Sequence, residues 1–324
     1  MSAVPTVEAV VAAAGGHIPP LMEALDERLA ELAGGHGAVL ARHGGATIAA
    51  GGKRLRPLLV FVAAGEAAET GVLRVAVAVE LLHSATLVHD DVLDAAELRR
   101  GRPTVVASAG RGIATATGDL LFSRAFAELR ANDRADEVRV LSRASTALAL
   151  GELLQRADAF DATVPVERYL ERCEYKTARL FEAACQLGAL ESAAPPDRVE
   201  ALGAFGRRIG LAFQLLDDVL DVSGPPERTG KARGTDLLDG TVTLPLILAR
   251  EHDPELAAID VREIATRDRA ADVCDRIAAT PALEQSKQRA LRIVAEAKGE
   301  LPALPERQRT ALELVADGVV ERYA

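Results

Sequence analysis

The sequence predicts an all-α protein. Long stretches place apolar residues at helical spacing between punctuated ends, Ala, Leu, Glu and Arg dominate, and period-two alternation is scarce. The Gly-rich zone from Gly34 to Gly52 reads as a connection between helices. The one short alternating run, Val75 to Val79, continues into a helical pattern through Leu82 and Ala85. From Val166 to Leu190 the apolar positions Val166, Tyr169, Leu170, Cys173, Leu180, Phe181, Ala184 and Leu187 predict a helix, and Pro165 suits its start. A second long helix follows Pro195-Pro196-Asp197, carries Val199, Leu202, Phe205, Ile209, Ala212, Leu216 and Leu220, and stops at Ser223-Gly224-Pro225-Pro226. The Pro-rich stretch Leu301 to Pro305 is a further turn. No low-complexity linker divides the chain, so residues 1–324 read as a single all-helical domain; 324 residues with 49 % hydrophobic content suffice for a large core.

A net charge of −10 argues against a sequence-independent nucleic-acid binder, which needs a basic face. The first basic side chain is Arg28, so the Ala/Val-rich start lacks the positive region of a secretory signal, and no apolar run approaches bilayer length. A cytoplasmic location without stable membrane insertion is expected. Cys173, Cys185 and Cys274 lack metal-ligand spacing and read as buried thiols.

The pentapeptide Asp-Asp-Val-Leu-Asp occurs at Asp90 to Asp94 and again at Asp217 to Asp221, each time closing an apolar helical stretch. Residues four apart share a helix face, so Asp90 projects beside Asp94 and Asp217 beside Asp221. A single such cluster is as readily a solvated helix end. Two identical copies predict an acidic cleft that a cation compensates, and carboxylates with room for water and phosphate oxygens suit Mg²⁺. The six histidines do not fall at zinc spacing around either cluster. Cations for a diphosphate stand nearby in Gly51-Gly52-Lys53-Arg54-Leu55-Arg56-Pro57 and Arg99-Arg100-Gly101. Only Lys53, Lys176, Lys231, Lys287 and Lys298 are lysines, and three of these five fall inside motifs.

From about Gly51 to Pro245 the chain resembles the trans-isoprenyl diphosphate synthase (polyprenyl synthetase) family, through GGKRLRP, ELLHSATLVHDDVLDAAELRRGRPT, GDLLFSRAF, GELLQ, YKTARLFEAA, GLAFQLLDDVLDV and GKARGTDLLDGTVTLP in order. The resemblance implies an isoprenoid synthase fold, a barrel of long helices around a central cavity with the two aspartate segments on opposite walls. It assigns several magnesium ions to Asp90, Asp94, Asp217 and Asp221, with Asp91 and Asp218 as weaker candidates. It assigns isopentenyl diphosphate to Lys53, Arg56, His83 and Arg100, and the allylic diphosphate to Arg99, Lys176 and Lys231. Thr177 and Gln214 are placed beside the allylic cation, and a homodimer is expected. Without the motif His83 reads as a packed helical histidine, and His89 is read as structural. Two departures stand out. Asp239-Gly240-Thr241 lacks a lysine that many relatives carry after the glycine, so either affinity is reduced or an arginine substitutes, and Val105 to Gly112 lacks the usual aromatic and asparagine residues.

Thr86 and Ala85, four and five residues before Asp90, lie about one turn below the metal level. Relatives carry bulky aromatics there as a floor; here both are small, and Leu82, Leu81 and Ala78 follow. The growing tail is expected to pass this level, giving a product longer than C20, with Phe122 and Phe126 as the expected floor. A geranylgeranyl (C20) synthase is the alternative. Further rivals are a terpene cyclase, which needs no pocket for Lys53, Arg56 and Arg100 to serve; a non-catalytic partner subunit, expected to lose catalytic aspartates; and a plain helical binding protein.

Overall fold

The computed structural model describes residues 7–35, 37–49, 52, 54–66, 71–99, 101–224 and 233–321. Five helices open the chain: α1 (Val7–Ala14), α2 (Ile18–Gly34), α3 (Ala38–Ala49), α4 (Leu55–Ala64) and α5 (Val72–Leu93). A minimal hairpin, β1 (Leu98–Arg99) and β2 (Arg102–Pro103), precedes α6 (Val105–Ala109), α7 (Arg111–Arg130) and α8 (Ala135–Ala157). Then come α9 (Val166–Cys173), a π-helical segment (Glu174–Ala178), α10 (Arg179–Glu191) and α11 (Pro196–Ser223). The chain closes with α12 (Thr235–Leu238), α13 (Leu244–Ala249), α14 (Pro254–Ala257), α15 (Arg267–Ala278), α16 (Ala282–Gly299) and α17 (Glu306–Glu321).

The all-α expectation holds, and Pro196 at the first turn of α11 supplies the missing-donor start that its sequence announces. α5 packs against α7, α4 and α10; α10 also meets α8 and α11, and α11 packs on α16. α1 lies against α17 near the other end of the chain. One hydrophobic cluster runs through these contacts from Val10 to Val319. α5 is covered on nearly every side, with Val75 to Val79, Leu81, Leu82 and Ala85 buried. A helix buried all round carries no clean stripe, which explains why its first turns mimic alternation.

Two expectations give way. The Gly34–Gly52 zone contains a twelve-residue helix, α3, packed on α2, with Ile48 buried at 5 % exposure. Gly44 and Gly45 lie inside that helix, where tertiary burial outweighs the roughly 1 kcal/mol that each helical glycine costs. By length and composition Val72–Leu93 would cross a bilayer, contrary to the reading that no run approaches that length, but 67 % of its apolar window is buried inside the protein.

Arg54 shows how the basic loop before α4 is divided between tasks. Its φ of 46° places it in the left-handed region at the N-terminus of α4. From there the guanidinium donates to Glu80 (2.6 Å), the Ile48 carbonyl (3.1 Å) and Asp26 (3.1 Å), joining α2, α3 and α5. Arg54 is thereby a structural cation. All three cysteines are buried, and burial pushes the Cys185 thiol up to about 12, which removes the reactive thiolate.

At the N-terminal end of α5, about 28 Å along the helix from Asp90, Glu137 and Glu191 are buried at 0 % and 1 % exposure. Arg134 lies 3.5 Å from each, Asn132 donates to Glu137 (3.0 Å), and Asp136 pairs with Arg134. Burial, reinforced by Glu191, pushes the Glu137 carboxyl up to about 8. A raised folded-state pKa contributes stability that is complete below the ordinary carboxylate range and is lost as pH rises through the folded value. The melting temperature is therefore expected to fall by about 2–4 °C more in the natural protein than in Glu137→Gln between about pH 6 and about pH 9. Parallel pH profiles in a thermal scan would contradict this.

Candidate active site

The two aspartate pentapeptides end α5 and α11 and contribute to one cavity of about 260 Å³. Its described lining carries Asp90, Asp94, Asp217, Asp218, Asp236 and Asp239 against Arg56, Arg99, Arg172 and Lys176. Leu87, Leu148 and Leu180 supply an apolar part, and Thr86, His83, Thr177 and Gln214 complete its middle. Lys53, Arg100 and Lys231 lie outside the described residues.

On the α5 wall, Asp90 is half-buried and Asp94 sits at the exposed rim. Burial raises the Asp90 carboxyl to about 6; Lys176 opposes this, while Glu152 and Asp94 add to it. A carboxyl so desolvated beside other acids is a place where a cation is stabilised. Asp91 turns inward instead and accepts a hydrogen bond from Arg99 (2.7 Å), which the β1–β2 hairpin holds at the cavity edge. Gly118 of GDLLF permits this wall to form: a Cβ there would stand 2.3 Å from the His89 ring, whose Nε2 lies 3.2 Å from Asp119.

α8 contributes Glu152, within GELLQ, and Arg156, just beyond it, neither of which the motifs mark for a role. Glu152 accepts from Lys176 (2.7 Å) and from Arg156 (2.7 Å), and Arg156 also donates to Asp94 (2.5 Å). Although burial pushes the other way, Lys176 and Arg156 hold Glu152 below its ordinary value. An alternating chain of charges thus links the α5 aspartates to the motif lysine. Lys176 and Thr177 ride on the π-helical segment, an insertion that the periodicity of Val166–Leu190 did not reveal. Gly151 lies against it so closely that a Cβ would meet the Lys176 amide nitrogen at 2.5 Å.

On the α11 wall Asp217 lines the cavity, whereas Asp218 is 3 % exposed and engaged on both oxygens, by Gln214 and Tyr169. Burial, then Asp236, pushes the Asp218 carboxyl up. Asp221 stands one turn beyond Asp217 and accepts the Asp236 amide (3.2 Å), and Asp236, Asp239, Thr241 and Thr243 line the cavity.

The Arg56 guanidinium lies 4.6 Å above the Phe181 ring, and His83 faces the same cavity from α5. Of the chain-length residues, Thr86 lines the cavity, and Ala85 and Leu82 are buried beside it in the same helix. Phe122, the expected floor, is not among the described residues that line the cavity. Ala114, Leu121 and Ala125 form the buried face of α7, which turns Phe122 outward to 36 % exposure, its ring 5.3 Å from that of Phe126.

The donor set suits a divalent ion held jointly with a ligand. Among the described residues no three His, Cys, Asp or Glu side chains close into a protein cage. Oxygen donors from two walls with open positions match Mg²⁺, which keeps waters and takes phosphate oxygens.

The polyprenyl synthetase family profile matches residues 38–279. Component 2 of heptaprenyl diphosphate synthase from Geobacillus stearothermophilus is 42 % identical over 81 % of this chain and 83 % of that protein. Octaprenyl diphosphate synthase from Escherichia coli is 36 % identical over 85 % and 87 % of the respective chains. The crystal structure of a polyprenyl synthase from Caulobacter crescentus, complexed with calcium and isoprenyl diphosphate, superposes with a TM-score of 0.92 at 34 % identity, covering 100 % of both chains.

Proposed function

The chain belongs to the polyprenyl synthetase family and is a prenyltransferase, and from that premise we propose that it condenses isopentenyl diphosphate head to tail with an allylic diphosphate and elongates the product beyond C20. The observation that carries this reading is the pair of aspartate-bearing helix ends opening on one cavity above a small-residue turn. In it Asp90, Asp94, Asp217 and Asp221 would hold magnesium, and Asp221 also accepts the Asp236 amide. Bound magnesium supplies charge neutralisation to the diphosphate leaving group. Lys176 and Arg99 stabilise the negative charge that develops as the carbon–oxygen bond breaks. Thr177 and Gln214 set oxygen dipoles beside the allylic carbon. Arg56 and His83, with Lys53 and Arg100, orient isopentenyl diphosphate so that its double bond faces that carbon. The proton lost after condensation passes to the departed diphosphate, while Leu87, Leu148 and Leu180 keep water from the cation.

Tail length follows from α5. Ala85, Leu82 and Ala78 place the wall about 8, 12 and 18 Å from Asp90 along the helix, with no aromatic residue among them. Thr86 faces the cavity directly, so Thr86→Phe is expected to shift products from above C20 to C20 or below, as resolved by chromatography of the dephosphorylated alcohols. An unchanged ladder would move the tail path off α5, and a natural protein that stops at C20 would make it a geranylgeranyl diphosphate synthase.

The reading includes a cytoplasmic homodimer built from single-domain chains. Phe122 on α7 and Leu150 and Leu153 on the adjoining α8 are 36, 44 and 65 % exposed, an apolar set that a second copy would cover. The "component 2" name of the Geobacillus relative is the observation that favours a different subunit on the same face.

A further inference from the structure

Thr177 and Gln214 are held by Asp218, the second residue of the α11 aspartate pentapeptide, and through it by Tyr169, which lies in neither an aspartate segment nor a lysine motif. Thr177 Oγ1 donates to Gln214 Oε1 (2.7 Å), Gln214 Nε2 donates to Asp218 Oδ1 (2.8 Å), and Tyr169 Oη donates to Asp218 Oδ2 (2.6 Å). The three bonds run in series from the π-helical segment, through α11, to α9. Tyr169 is fully buried and Asp218 is 3 % exposed, so the Tyr169–Asp218 end of the series is closed to bulk water, while Thr177 and Gln214 face the cavity.

A glutamine amide has two ends of nearly equal shape and opposite polarity, and only its partners decide which end points where. Here Asp218 Oδ1 takes the NH₂ end, which turns the carbonyl oxygen toward Thr177 and the cavity. Asp218 performs this task only while its other oxygen is occupied. Whether or not Asp218 carries a proton, the Tyr169 oxygen is the partner of Oδ2 and leaves Oδ1 as the acceptor for Gln214. Without the phenol, a buried carboxyl group with one orphaned oxygen rotates to recover a donor, and Gln214 Nε2 is the donor within reach.

We propose that Tyr169 is a positioning residue that fixes the Gln214 amide through Asp218, so that the negative end of its dipole faces the allylic carbon as the diphosphate departs. This rests on the prenyltransferase reading. Tyr169 touches no substrate, and positive charge on carbon exists only as the transition state is approached. Its loss therefore lowers kcat and leaves ground-state binding unchanged.

The test is Tyr169→Phe, which keeps the ring and removes only the hydroxyl. We expect kcat to fall about ten-fold with KM for both substrates changed by less than about two-fold. In a Gln214→Leu background the same substitution should lower kcat by less than about two-fold, because its effect runs through the amide. An unchanged kcat in Tyr169→Phe, a loss confined to KM, or an equal loss in the Gln214→Leu background would each overturn the inference. If Tyr169→Phe does not fold, Asp218→Asn makes the same test, since its NH₂ must oppose one of the two donors, and the same cycle decides. A natural protein inactive with every allylic primer would instead remove the prenyltransferase reading on which the inference stands.

Discussion

Asp90→Asn and Asp217→Asn are each expected to lower kcat by about a thousand-fold or more with the fold intact. Both carboxylates line the cavity from opposite walls, and Asp90 is already desolvated enough for burial to raise its carboxyl to about 6. Replacing either by an amide removes a full charge from a place where a cation must be held against a diphosphate. Asp221→Asn should cost less, about ten-fold, because Asp221 stands one turn beyond Asp217 and its carboxylate already accepts the Asp236 amide. The check is kcat with geranylgeranyl diphosphate and isopentenyl diphosphate at saturating magnesium, alongside the melting temperature. Equal losses at Asp217 and Asp221 would show that the two hold metal equally.

Gly151→Val is expected to lower kcat about a hundred-fold and to destabilise the protein by about 1–3 kcal/mol. A Cβ at this position would stand 2.5 Å from the Lys176 amide nitrogen and 2.8 Å from its Cα, so backbone rather than a flexible side chain must move. The part that moves is the π-helical segment carrying Lys176 and Thr177. Glu152, the next residue of α8, is the hydrogen-bond partner of Lys176, so the same shift stretches the 2.7 Å ion pair that aims the lysine. Gly151→Ala makes the smaller version of the same clash and should fall between the two. Steady-state kinetics with a denaturant series would check both, and full activity in Gly151→Val would mean that the close packing of α8 does not position the lysine.

The helices of this fold were legible where an apolar stripe has a polar opposite face and a punctuated end, as in Pro196–Ser223. They were hidden where packing overrides composition. α3 forms in a glycine-rich stretch because α2 covers it, and the π-helical insertion at Glu174–Ala178 leaves the pattern of the long helix unbroken in sequence. The acidic cleft was legible because two identical pentapeptides end two apolar helices. Which aspartate of each pentapeptide has open oxygens depends on helix rotation: Asp91 turns inward to Arg99, and Asp218, at the cavity wall, has both oxygens engaged by Gln214 and Tyr169. The setting of Phe122 is hidden for the same reason, since one residue's step around α7 separates the buried Leu121 from the exposed ring. The roles of Glu152, Arg156 and Tyr169 carry no signal in sequence, because the partners that give them those roles, Lys176, Asp94 and Asp218, are 24, 62 and 49 residues away.

The central claim is that the cavity between the two aspartate walls elongates an isoprenoid past the Thr86 level. It is tested most directly by incubating the purified chain with labelled isopentenyl diphosphate, geranylgeranyl diphosphate and magnesium, and resolving the dephosphorylated products by chain length. A magnesium-dependent ladder that ends well above C20 is expected, and no conversion of geranylgeranyl diphosphate under these conditions would contradict elongation past that level.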